Sequence, residues 1–177
     1  MRHLIAAMAV MGLTGCVAAP PMGEVPRRIG AASSPLSTSV SVPAGSRTVY
    51  ISGTVPDAIN PSAPEGSVAR YGDTEAQTRS ILAKIAAALA DQHMTMSDVV
   101  MMRVFLVAPP GQSRMDFAGM MRGYSERFGT PAQPNKPARS TMQVAGLVNP
   151  GWLAEIEVTA AFDERFTRRV AGEGKRH

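Results

Sequence analysis

The chain has 177 residues, of which 45% are hydrophobic and 18% charged, with 18 Lys and Arg against 14 Asp and Glu. That length suits one domain with a core of ordinary size. Basic residues are scattered except near the C-terminus, which excludes a nucleic-acid footprint, and the single cysteine excludes a disulfide framework.

Arg2 and His3 open the chain, and residues 4–13 form an apolar stretch of about ten residues, where roughly 20 are needed to cross a bilayer. This reads as an export signal. It runs into Leu13-Thr14-Gly15-Cys16, which looks like the lipobox of bacterial lipoproteins. Small residues there give a signal peptidase access to the backbone, and the Cys16 thiol becomes the acylated end. Residues 1–15 are therefore expected to be removed, leaving the protein lipid-anchored through Cys16 to a bacterial membrane and facing the periplasm. Two or more acyl chains make such an anchor stable. Val17 stands where an aspartate would signal inner-membrane retention, which points to the outer membrane. With its thiol acylated, the chain has no cysteine nucleophile and no zinc-thiolate site.

Residues 16–34 are dominated by Ala, Pro, Gly and Ser and read as a flexible linker that follows the lipidated cysteine. The folded domain is expected over residues 35–162. Residues 38–42 and 48–52 are short β-prone runs separated by Pro43-Ala44-Gly45-Ser46, a pattern that predicts a hairpin. A Pro-rich loop over 54–72 follows. Thr74 and Gln77 have capping-box spacing, and Ile81, Leu82, Ile85, Ala88 and Leu89 share one helical stripe, predicting a helix over 73–91. Residues 99–107 form an apolar, β-branched run interrupted by Arg103, as expected of a central strand. Ser113 and Asp116 open a second helix with Phe117, Met120, Met121, Tyr124 and Phe128 on its inner stripe and Gly129 as its stop. Residues 140–145 and 153–162 read as two more strands joined by a turn at Asn149-Pro150-Gly151. Residues 163–177 form a basic, solvated tail.

This order predicts an α+β fold with two helices packed on one mixed β-sheet. One sheet face would remain bare, and self-association is the simplest way to cover it.

The sequence shows no Gly-rich phosphate loop, no metal-ligand cluster and no nucleophile elbow. Past the signal only His93 and His177 remain, and His93 sits where a helix C-terminus favours a cation. The 12 methionines read as fillers of irregular core gaps. What remains is Arg139 at the start of one strand, and a second strand on which Glu155, Glu157 and Thr159 share a face. A fixed arginine is a fork for a carboxylate, while the same residues could equally make a structural ion pair or the charged rim of a half-exposed sheet.

The residues Tyr50-Ile51-Ser52-Gly53, Gln77-Thr78-Arg79, Val104-Phe105-Leu106, Tyr124 with Phe128, Pro137-Ala138-Arg139-Ser140 and Glu155-Ile156-Glu157 recur in the order of the Rid (YjgF-type) family, which residues 35–162 resemble. The resemblance implies a chorismate-mutase-like fold and a homotrimer with ligand clefts between subunits. It also implies cofactor-free hydrolysis of reactive 2-imino or enamino acids to 2-keto acids and ammonium. Carried over by position, Arg139 would hold the substrate carboxylate, the backbone of Thr141 would contact the imine nitrogen, Glu155 would position water, and Ser52 would line the cleft. The chain departs from the family at Leu36, Lys84 and Met121, where a tyrosine and two asparagines are usual. The alternative is a non-catalytic module that binds a small carboxylate, or serves as an accessory, through the same inter-subunit cleft.

Overall fold

The computed structural model describes residues 26–163, so the signal peptide, Cys16 and all of the basic tail but Asp163 lie outside the described residues. Strand β1 spans Arg27–Ile29, β2 Ser39–Ser41, β3 Arg47–Thr54, β4 Val99–Leu106, β5 Ala138–Gln143 and β6 Ala154–Phe162. Helix α1 is the short Val68–Tyr71, α2 is Thr74–Asp91 and α3 is Phe117–Ser125. Strands β3 to β6 form one mixed sheet in the order β3-β6-β4-β5.

The alternation of β4 fixes the sheet's two faces. Met102, Val104 and Leu106 are fully buried, and their antiparallel partners on β6 are Val158, Ile156 and Ala154, at most 3% exposed. Side chains of paired residues share a face. That face takes the two long helices: Ile81, Leu82, Ile85 and Leu89 of α2 and Met120 of α3 are all completely buried against it. On β5, which runs parallel to β4, Arg139 pairs with Met102 and Thr141 with Val104, so both stand on this helix-covered side. A parallel pair needs a crossover, and α3 supplies it between β4 and β5.

The other face carries Tyr50 and Ser52 from β3, Arg103 and Phe105 from β4, and Glu155, Glu157 and Thr159 from β6. No described helix covers it. Tyr50 is 78% exposed there. The predicted α+β arrangement and its bare face are thus observed, with α1 as an additional short helix.

Four local expectations are corrected. The turn at Pro43 to Ser46 forms, with Gly45 at φ +82° and the Ser46 N–H donating to Pro43 at 3.3 Å, but it does not close a hairpin. Instead β2 pairs antiparallel with β1, and β3 with β6. The strand β1 lies inside the stretch that composition assigns to the linker. Polar contacts hold it: Nη2 of Arg28 donates to the carbonyls of Ser97 at 2.8 Å and Val99 at 3.2 Å, and Lys136 Nζ donates to Ser34 at 2.7 Å. The cap of α2 is Asp73, which accepts from the Ala76 N–H at 2.8 Å, rather than Thr74. Gln77 is fully buried and ties the helix start to the Gly72 and Gly151 carbonyls and the Leu153 N–H. Lastly, β5 and β6 are not neighbours, because β4 lies between them.

His93 ends α2 at φ +56°, its N–H bonded to Ala90 while the Met94 N–H reaches Leu89 at 2.8 Å. This is a Schellman cap with histidine where glycine is usual. It gives His93 the backbone role that its place after the helix suggests.

Candidate functional site

Arg139 opens β5 just after Pro137-Ala138 and reaches under α3. Its guanidinium carbon lies 4.2 Å from the Tyr124 ring centroid and 5.9 Å from that of Phe117. Nη2 is 3.1 Å from the Met121 sulfur and Nη1 is 4.0 Å from the Met120 sulfur. Two aromatic faces and two thioethers therefore surround the cation. The rings favour it electrostatically, whereas thioether sulfur is a weak acceptor that leaves most of a guanidinium's five N–H donors underused.

No carboxylate joins this group. Arg79, Arg103, Arg122 and Lys84, by contrast, each pair with a carboxylate. Nε of Arg139 is buried without a hydrogen-bond partner, and so is the hydroxyl of Thr141, two residues along on the same face. Burial lowers the pKa of Arg139, the Tyr124 phenol opposing this, yet an arginine remains charged throughout the usual pH range. Tyr124 itself is neutral: burial pushes its phenol up to about 12, with the guanidinium pulling the other way. Its hydroxyl donates to the Pro35 carbonyl at 2.9 Å, and its ring stacks on Phe128 with centroids 4.9 Å apart. Buried charge without a counter-charge is costly, so this cup is poised for an anion.

Glu155 stands on the opposite face of the sheet, between the buried Ala154 and Ile156. Its carboxylate lies over Gly53: a Cβ added there would come 1.9 Å from Oε1. No hydrogen bond or ion pair within the described residues engages that carboxylate. Glu157, next on this face, is bonded to Arg103 at 2.5 Å. Ser52, Tyr50, Thr159 and this ion pair line a shallow cavity of about 230 Å³. One chain thus gathers Arg139 and Thr141 beneath α3, and Ser52 and Glu155 on the bare side. It does not bring the two pairs together. Among the described residues no cluster of three or more His, Cys, Asp or Glu could hold a metal ion.

Sequence reasoning read Phe117, Met120, Met121 and Tyr124 as a core stripe. Met120 and Tyr124 are buried and Met121 partly so, but Phe117 is 44% exposed and does not belong to the core; the four together build the cup. The available signal was chemical: two sulfurs and two aromatics recur on the face that meets an arginine-bearing strand. Gly53 was likewise quoted only within a motif, although a glycine inside a β-prone run marks a close approach.

Comparison with known proteins gives these positions a family context. Residues 28–162 match the family model described as Endoribonuclease L-PSP. The chain belongs to this family, the Rid family. A RutC family protein of Pyrococcus abyssi is 31% identical over 124 residues, covering 70% of this chain and 81% of its own. A conserved Rid family protein of unknown function from Yersinia pestis is 25% identical, with a TM-score of 0.59 over 78% of this chain and all of that one. TdcF of Escherichia coli, solved with bound serine, is 24% identical with a TM-score of 0.51 over 77% of this chain and 99% of its own, a likeness of fold. The Rid match spans β1 through β6 and so includes both halves of the split arrangement.

Proposed function

We propose that this Rid-family chain hydrolyses small 2-imino or enamino acids to 2-keto acids and ammonium, with Arg139 as the carboxylate anchor. The observation that carries the reading is the half-buried guanidinium of Arg139, with its Nε buried, without a carboxylate partner among the described residues and beside the unpartnered hydroxyl of Thr141. A planar fork of that kind binds a carboxylate bidentately.

The chemistry asks little else of the protein. A protonated imine carbon is already electrophilic, so the site must hold the carboxylate, polarise the nitrogen and aim one water. Water adds to C2 as a carboxylate takes its proton, giving a carbinolamine; the C–N bond then breaks, ammonia leaves and the C2 hydroxyl becomes the keto group. Glu155 is the group assigned to the water, and the Thr141 backbone to the nitrogen. Because Arg139 and Glu155 stand on opposite faces, the complete site is proposed to form between copies of the chain in a homotrimer, the bare face of one meeting the β5 edge of the next, with Ser52 lining the cleft. The sequence of the first sixteen residues supports placing this assembly on a periplasm-facing membrane through lipid on Cys16.

The test follows ammonium and keto-acid release from imino acids generated in situ by an amino-acid oxidase. Wild type should exceed buffer, and Arg139→Ala should lose about 2–5 kcal/mol of ligand binding. Equal rates for wild type, variant and buffer would overturn the enzyme. A second reading, carboxylate binding without turnover, draws on the fact that one chain completes the arginine cup but not the water-directing half. Calorimetry with keto acids distinguishes it.

A further inference from the structure

The cup around Arg139 contains a feature that carboxylate binding does not use, namely a thioether on the guanidinium. The Met121 sulfur lies 3.1 Å from Nη2, and Met121 is only partly buried, whereas Met120 and Met102 are completely buried. A thioether on a partly buried side chain beside the ligand-binding guanidinium is open to small oxidants in a way that the fully buried ones are not. We propose that Met121 is a modification site: peroxide-class oxidants convert its thioether to a sulfoxide, whose oxygen then occupies Arg139 and closes the cup to carboxylates. The inference rests on Arg139 as the carboxylate anchor and adds a regulation to it.

The chemistry balances with one oxidant. A sulfur lone pair attacks one peroxide oxygen, the O–O bond breaks as the S–O bond forms, and the new S–OH group gives up its proton, directly or through solvent, to the departing hydroxide, leaving the sulfoxide and water. Sulfur loses two electrons and the peroxide gains them. The product differs from the thioether in the property that matters here, because a sulfoxide is polar and its oxygen carries partial negative charge. Methionine is unbranched and flexible, so rotation about its last bonds lets that oxygen turn toward the guanidinium. A weak N–H···S contact is thereby replaced by a charge-assisted N–H···O bond, on the donors that a substrate carboxylate would need. The modification is reversible, since sulfoxide reductases restore the thioether.

The experiment titrates the full-length chain with hydrogen peroxide and maps sulfoxides by peptide mass spectrometry. Keto-acid affinity is read by calorimetry, and Arg139 reactivity by phenylglyoxal labelling, which needs no ligand. Among the described methionines Met142, 38% exposed, should oxidise first and the partly buried Met101, Met115 and Met121 after it, with Met102 and Met120 still reduced. At full Met121 oxidation both affinity and labelling should fall about tenfold or more, the effect of one charge-assisted bond, and recover with methionine sulfoxide reductases. Met121→Leu should show the same values before and after peroxide, whatever its untreated level, while Met142→Leu should remain sensitive. Unchanged labelling on full Met121 oxidation, a Met121→Leu chain as peroxide-sensitive as wild type, or a Met121 that stays reduced until the core methionines react would each overturn the inference. If the untreated chain binds no keto acid, the functional reading fails on its own and the labelling arm still decides this one.

Discussion

On the helix side of the sheet a guanidinium is enclosed by rings and sulfur and meets no carboxylate; on the open side, Glu155 lies over Gly53 with no donor, two residues from a glutamate that Arg103 engages at 2.5 Å. These regions share one sheet. They differ in what is satisfied. The pair Arg103 and Glu157 shows that this sheet can bring opposite charges together when the fold needs only structure. Arg139 and Glu155 are each left open, one per face, and that contrast separates groups available to a ligand from groups that hold the sheet.

The contrast can be broken most directly at Arg139. Replacing it by methionine should abolish keto-acid binding while moving stability by less than about 1 kcal/mol, because a half-buried cation with no carboxylate partner among the described residues gives way to an apolar chain. A loss of stability beyond about 1 kcal/mol would make Arg139 a structural tie and erase the distinction. A smaller effect is expected from Gly53→Ala, whose new carbon would come 1.9 Å from Glu155 Oε1 and displace it. The nearest atom is the end of a flexible side chain, so chemical denaturation should register less than about 1 kcal/mol. Turnover should fall about tenfold through kcat rather than KM, as for a misplaced proton acceptor. Least of all should follow from Glu157→Gln. Its ion pair is 54% and 33% exposed on its two side chains, so stability should move by less than about 1 kcal/mol and kcat not at all.

Where apolar periodicity is strong, the sequence is read correctly down to the stripe. Ile81, Leu82, Ile85 and Leu89 of α2 and the apolar run of β4 find the core because burial of those side chains decides their placement. The β1–β2 ribbon is illegible by the same criterion, since it is pinned by the Arg28 and Lys136 side chains reaching distant carbonyls. Turn chemistry at Gly45 says that the chain bends, not which strand lies beside which. For the site, alternation places Glu155, Glu157 and Thr159 on one face, as observed. The face taken by Arg139 has no such signature: β5 has six residues and none of them is fully buried, so only its pairing with Met102 reveals that the arginine points beneath α3.

The position of β6 in the sheet has a consequence for how the molecule comes into being. It is the last strand in sequence, yet it lies between β3 and β4, and it alone pairs with β3. Until residues 154–162 have been synthesised, β3 has no neighbour and β4 has one edge unpaired. Nascent chains therefore hold β3 unpaired, and β4 paired with β5 alone, until residues 154–162 have been made, and the four-stranded sheet closes in a step joining distant parts of the chain. Such long-range closure is slow compared with local folding. The interval before it is when this protein is most exposed to aggregation and to the factors that bind unfolded chains.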